Sequence, residues 1–187
     1  GPTSQFPNLR FVGSITAAVD GLVNNKDLQD DIPIVRCGAP GGDAEITEYT
    51  MLHVLRHHRR LPSYAEAQSR SEWIKFDQPL AADRNVGFLG LGLVARPAAE
   101  AVRDLGFNVA AWTRTSKDID GIEIFQGDDR LDEFLARSEI IVNFLPVTER
   151  TTDILNADLF AKLPNGASLI NIGRGEHVVD GDLIAAL

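Results

Sequence analysis

Cysteine is almost absent from this sequence. Cys37 stands alone among 187 residues, so no disulfide can form within the chain, and a reducing cytoplasm is the expected compartment. Long apolar runs are missing too. No stretch is long enough to span a bilayer or has the layout of a secretory signal, so no membrane partner is expected. Positive charge is in short supply, with 18 Lys and Arg against 27 Asp and Glu. That balance argues against a broad nucleic-acid footprint and leaves room only for a local basic pocket around a small anion. Histidine is sparse. His53 and His57 share an i, i+4 spacing, but no glutamate follows His53 and no third ligand is evident, so no metal site is expected. Repeats and low-complexity tracts are also absent. Apolar residues, at 44%, are plentiful enough for a core. The length predicts one full domain and part of another.

The pattern changes along the chain. Short strands are expected at residues 9–15 and 32–36, followed by a break at Pro40-Gly41-Gly42. Ile46, Tyr49, Leu52 and Leu55 recur at helical spacing and predict a helix over 44–60. Pro62-Ser63 should stop it and cap a second helix from Tyr64 to Trp73, with Trp73 and Phe76 packed at a polar connector. Beyond Asn85, apolar strands alternate with helices. Strands are expected at 86–90, 108–112, 121–125, 139–145 and 167–172, with helices at 94–105, 130–137 and 157–163 and from Asp180 onward. Such alternation predicts an α/β fold, a Rossmann-type doubly wound parallel sheet covered on both faces. Residues 1–43 are expected to be part of a flavodoxin-like substrate domain, and 44–187 a nucleotide-binding domain lacking its last strands.

The strongest local motif is Gly90-Leu91-Gly92-Leu93-Val94-Ala95, a G-x-G-x-x-A between a strand and a helix. Gly90 would allow the tight turn, Gly92 would let the backbone approach a pyrophosphate, and Ala95 is small enough for close helix–strand packing. The helix N-terminus would offer N–H groups and partial positive charge to phosphates. A glycine turn can also bind nothing; its place between strand and helix is what points to a dinucleotide.

An acidic residue is missing where an NAD-binding domain would carry one, at the tip of its second strand. The sequence there reads Trp112-Thr113-Arg114-Thr115-Ser116-Lys117. A guanidinium, hydroxyls and an ammonium suit an adenosine 2′-phosphate, so NADP(H) is favoured and NAD(H) is expected to bind more weakly. The alternative is a solvated basic turn. Asn171-Ile172-Gly173-Arg174-Gly175 follows the last buried strand and should lie towards the same cleft. There Arg174 suits either a substrate carboxylate or a structural ion pair.

Taken together, these stretches resemble the D-isomer-specific 2-hydroxyacid dehydrogenases, and within them the glyoxylate/hydroxypyruvate reductase branch. The likeness rests on Phe6-Pro7-Asn8-Leu9-Arg10, Thr47-Glu48-Tyr49, Val86-Gly87-Phe88-Leu89-Gly90-Leu91-Gly92, Trp112 to Lys117, Phe144-Leu145-Pro146 and Asn171 to Gly175, in the family's order. The resemblance implies reduction of a small 2-keto acid to the D-2-hydroxy acid with NADPH, in a homodimer. Arg174 matches the catalytic arginine that orients the substrate. The loop holding Ala17 and Ala18 matches the segment whose backbone amides hold the carboxylate, with Thr16 and Ala18 replacing the family's glycines. The implied cofactor residues are Gly90, Gly92, Leu93, Val94, Trp112, Arg114, Thr115, Ser116, Lys117, Leu145, Pro146, Ile172, Gly173 and Arg174. His177 does not match the family's acid–base histidine; that residue and its glutamate partner fall beyond Leu187, so these 187 residues are expected to be catalytically incomplete. The alternatives are a non-catalytic NADP(H)-binding module or a corepressor-like interaction protein.

Overall fold

A computed structural model of the chain describes residues 5–14, 19–23, 25–29, 31–36 and 44–187. In the leading segment, β1 (Val12–Ser14) and β2 (Ile34–Arg36) pair in parallel, with α1 (Asp20–Val23) between them in sequence. Both strands are shorter than the sequence suggests. Ala17, Ala18, Cys37 and the break at Pro40-Gly41-Gly42 lie outside the described residues.

Helix α2 (Ala44–His58) carries its buried stripe on Thr50, Val54 and His58, with Met51 and Leu55 packed against the core. Tyr49 and Leu52, two of the residues whose spacing predicted the helix, are about half exposed at 49% and 58%. Helix α3 (Leu61–Ser69) begins earlier than expected. The chain turns through Arg60 in the left-handed region (φ 52°), and Pro62 sits in the first helical turn, where its missing N–H costs nothing. Ser63 is therefore inside the helix rather than capping it. Phe76 packs edge-on to Tyr64 at 4.9 Å, whereas Trp73 is fully exposed rather than packed at the connector.

The remainder is a five-stranded parallel sheet in the order β5-β4-β3-β6-β7, formed by β3 (Asn85–Leu89), β4 (Asn108–Thr113), β5 (Ile122–Gln126), β6 (Ile140–Asn143) and β7 (Ser168–Asn171). Strand residues alternate between two cores, as period-2 geometry requires. Val86, Phe88, Val109, Ala111, Ile140 and Val142 face a cluster completed by α2 and by α4 (Ala95–Asp104). Leu89, Ala110, Trp112 and Ile141 face the opposite cluster, built on Phe134 and Leu135 of α5 (Leu131–Arg137) and Leu159 of α6 (Ala157–Phe160). Burying side chains such as Phe88, Phe125 and Phe134 contributes on the order of 1.5–3 kcal/mol each. A last helix, α7 (Asp180–Ala186), follows β7.

The strand ends have side-chain causes. Glu139 accepts the Asn85 N–H at 2.9 Å and pairs with Arg84 at 2.8 Å, tying the starts of β3 and β6 together. At the other end β6 stops at Asn143, whose Oδ1 accepts the Leu145 N–H at 3.1 Å, and β7 stops at Asn171, whose Oδ1 accepts the Gly173 N–H at 3.1 Å. Both are Asx turns, which is why β6 ends two residues short of the apolar run that predicted it. The chain runs from β3 outward to β5 and then returns to the other side of β3 at β6. The sheet's switch point therefore lies at the carboxyl ends of β3 and β6.

Candidate functional site

A cleft of about 750 Å³ opens at that switch point. Its floor is the turn after β3. Gly90 adopts φ +86°, a conformation glycine tolerates. A Cβ there would also press on Leu145 at 3.3 Å. Gly92 has nothing within 4 Å of where a Cβ would project, so its backbone is approachable from the open side. Helix α4 begins with no side-chain cap and no acidic residue in its first turn. Its N-terminal amides and the positive end of its dipole are thus left for an anion. Ala95, Ala98, Ala99 and Val102 form its buried stripe, and the alanines let it sit close to the sheet.

One wall comes from β4 and β5. The buried Trp112 ring donates from Nε1 to the Gly127 carbonyl at 2.7 Å, fixing the tip of β4 against the turn after β5. The Thr113 hydroxyl donates to the Thr115 carbonyl at 2.9 Å, shaping the basic turn. Arg114, Thr115 and Lys117 then line the cleft. The opposite wall is Phe144, Leu145, Pro146 and the turn that follows. There the Thr151 hydroxyl donates to the Pro146 carbonyl, and the Thr148 N–H donates to that same hydroxyl. Asp128 is the single carboxylate of this lining and is paired with Arg150 across the mouth. With Arg114, Lys117 and Arg150 as its cations, the lining carries a net positive charge within a chain of net charge -9.

Of the residues named from the sequence, the cleft gathers Gly90, Gly92, Trp112, Arg114, Thr115, Lys117, Leu145 and Pro146. Leu93 is largely exposed, Val94 occupies the N-cap of α4, and Ser116 is exposed; none of the three is part of the lining. Ile172, Gly173 and Arg174 lie just beyond β7, also outside that lining. Arg174 is half-buried and donates from Nη1 to the Gly173 carbonyl at 3.0 Å. Gly173 does not adopt a positive φ. Its requirement is close approach, because a Cβ would lie 2.7 Å from both Asn143 Nδ2 and His177 Nδ1. The sequence reading missed Asp128, Thr148, Arg150 and Thr151, which reach the cleft from turns after β5 and β6 and carry no motif of their own. It also missed the buried partners behind Arg174, Asn143 and His177. Among the described residues no cluster of His, Cys, Asp or Glu is placed to hold a metal, and no helix is long and apolar enough to cross a membrane.

A glycine turn at a parallel switch point, an uncapped helix N-terminus and a positive lining fit a dinucleotide, and together they define a Rossmann-type nucleotide-binding domain. Residues 51–187 match the family described as D-isomer specific 2-hydroxyacid dehydrogenase, NAD binding domain, and the chain belongs to that family. It is 35% identical over 184 residues to glyoxylate/hydroxypyruvate reductase A of Serratia proteamaculans, covering 96% of this chain and 59% of that protein. It is 34% identical to the reductase of the same name from Yersinia enterocolitica, with the same coverage. Among solved structures, it superposes on a D-isomer specific 2-hydroxyacid dehydrogenase from Xanthobacter autotrophicus in complex with NADPH and MES. That match has a TM-score of 0.94 and 40% identity, and covers 99% of this chain and 58% of the other. An NADPH-dependent glyoxylate/hydroxypyruvate reductase from Sinorhizobium meliloti, in complex with NADP and sulfate, gives 0.92 and 36%, covering 99% and 60%. The chain therefore spans about three-fifths of the length of these relatives.

Proposed function

We propose that this chain is the NADP(H)-binding portion of a D-2-hydroxyacid dehydrogenase that reduces a small 2-keto acid of the glyoxylate or hydroxypyruvate kind. The carrying observation is the tip of β4, where Arg114, Thr115 and Lys117 line the cleft and no acidic residue takes their place. A carboxylate there would repel a 2′-phosphate; a guanidinium holds it with charge-assisted hydrogen bonds. The reductases named above support the substrate class.

When bound, a reduced nicotinamide supplies hydride to the keto carbon. The chain's own residues bind and orient. Gly90 and Gly92 would leave room for a pyrophosphate, and the uncapped N-terminus of α4 would supply its N–H groups. Arg114, Thr115 and Lys117 of the lining would hold the adenosine phosphate, with the exposed Ser116 of the same turn beside them, and Leu145 and Pro146 would give the apolar wall. Arg174 lies beyond β7, where it suits the substrate's carboxylate and polarises its carbonyl oxygen as negative charge grows there. Ala17 and Ala18 would hold the carboxylate through backbone amides. Residues 1–43 belong to a substrate domain and 44–187 to the cofactor domain. The half-exposed Tyr49 and Leu52 of α2 suit a contact between two copies in a homodimer, and the single cysteine suits a reducing cytoplasm.

Arg114→Asp tests the reading. Losing one charge-assisted contact and gaining a repulsion should weaken NADPH binding by at least about tenfold while NADH changes little. Equal losses for both cofactors would remove the assignment.

A further inference from the structure

Behind Arg174 lies a buried polar cluster. Asn143 and Asn171 end adjacent strands and are partners in register. Asn143 is fully buried, and its Oδ1 accepts from the Leu145 amide, which fixes the orientation of its side-chain amide. Its Nδ2 donates to Asn171 Oδ1 at 2.9 Å and to His177 Nδ1 at 2.9 Å. The Arg174 N–H also donates to His177 Nδ1, at 3.1 Å. Two donors converge on Nδ1, so that nitrogen is the acceptor and the ring's proton sits on Nε2. Asn171 closes the loop by donating from Nδ2 to the Arg174 carbonyl at 3.0 Å. The Arg174 main chain is thus held on both sides, by His177 at its N–H and Asn171 at its carbonyl, and Gly173 leaves no room for a Cβ beside Asn143 and His177.

His177 is 0% exposed. Burying an imidazole costs free energy unless it is hydrogen-bonded, and an apolar residue would fill the same space without that cost. What the imidazole adds is the acceptor at Nδ1.

We propose that His177 is a positioning residue for Arg174. Its Nδ1, steadied by Asn143, sets the direction from which the guanidinium meets the substrate. This rests on the 2-keto acid reading above. The test uses the full-length protein and compares His177→Leu with His177→Asn. Leucine keeps apolar volume and lacks the acceptor; asparagine places an acceptor oxygen near the Nδ1 position and leaves a void. A structural role makes leucine the better replacement in both melting temperature and turnover. The positioning role reverses the order for catalysis alone. His177→Leu should lose about 100-fold in kcat/KM for glyoxylate, the scale of a small misplacement at a reacting group. His177→Asn should recover most of that loss despite a lower melting temperature, with NADPH affinity unchanged in both. Turnover that follows melting temperature, or a folded His177→Leu with full activity, overturns the proposal. If the unaltered protein reduces no 2-keto acid, the functional reading fails, and hydrogen exchange of the Arg174 amide decides the positioning claim. Protection in the unaltered protein and in His177→Asn, with clearly faster exchange in His177→Leu, supports it; equal protection in all three rejects it.

Discussion

Gly87 in the middle of β3 has no room for a side chain. A Cβ there would lie 2.2 Å from Ser138 Oγ and 2.8 Å from Phe134 Cζ, both of which are buried. The Ser138 hydroxyl is itself committed to the Phe134 carbonyl at 2.7 Å, so it cannot simply turn away. Gly87→Ala should destabilise the fold by about 1–3 kcal/mol, the usual range for overpacking a tight core, read as a lower urea midpoint. Gly92→Ala is the contrast. A methyl there meets nothing in the protein, so stability should barely move. NADPH affinity should still fall roughly tenfold, because the phosphate is kept from the backbone donors it needs. If both variants lose stability alike, or Gly92→Ala binds NADPH normally, the division of labour between the two glycines is wrong. The motif spacing made the tight turn at Gly90 and the open backbone at Gly92 legible. The constraint on Gly87 was hidden, because Phe134 and Ser138 come from a helix and turn far along the chain.

At the scale of elements, the sequence declared type and order well. Each strand and helix expected after Asn85 is present, since apolar runs and helical spacing are local signals. Facing was less legible. The periodicity in α2 selected Tyr49 and Leu52, whereas the helix turns Thr50, Val54 and His58 inward. Two polar residues on that stripe disguised it. His58 packs edge-on to Phe107 at 4.8 Å, and its Nδ1 has no hydrogen-bond partner among the described residues. Burial, reinforced by the charges of Arg84 and Arg59 and opposed by Glu139, holds its pKa below the ordinary 6.5; His57 moves in the same sense, through burial and then Arg56 and His53. A depressed folded-state pKa means the unfolded chain takes up protons first. Stability from this group is complete above the unfolded value of 6.5, falls as pH drops from there towards the folded value, and is flat below it. The melting temperature should therefore fall as pH drops through 6.5 and level off below the folded value, with a smaller fall in His58→Leu, whose side chain has no proton to gain. An identical fall in the variant would place the acid sensitivity elsewhere.

Across the whole molecule, the cleft is assembled from segments that only the sheet brings together. The glycine turn follows β3, the basic turn follows β4, Asp128 follows β5, and Arg150 follows β6. The first two announce themselves through motifs, and the last two become visible only when parallel pairing places every strand's carboxyl end on one edge. A ligand that bridges these turns binds the folded sheet and not the unfolded chain, so its binding free energy adds to that of folding. At about 100 times its dissociation constant, NADPH should stabilise the chain by about 2.7 kcal/mol, which at roughly 2–4 °C per kcal/mol for a chain of this size raises the melting temperature by about 5–10 °C. NADH at the same concentration lacks the phosphate that Arg114 and Lys117 would hold and should give a smaller rise. The difference between the two cofactors should vanish in Arg114→Asp while the part common to both remains, because the turn after β3 and the N-terminus of α4 would serve either dinucleotide. Thermal melts of the two proteins with each cofactor measure both parts at once. A rise from NADPH no larger than that from NADH in the unaltered chain would mean that the positive turn beyond Trp112 is only a solvated edge of the sheet.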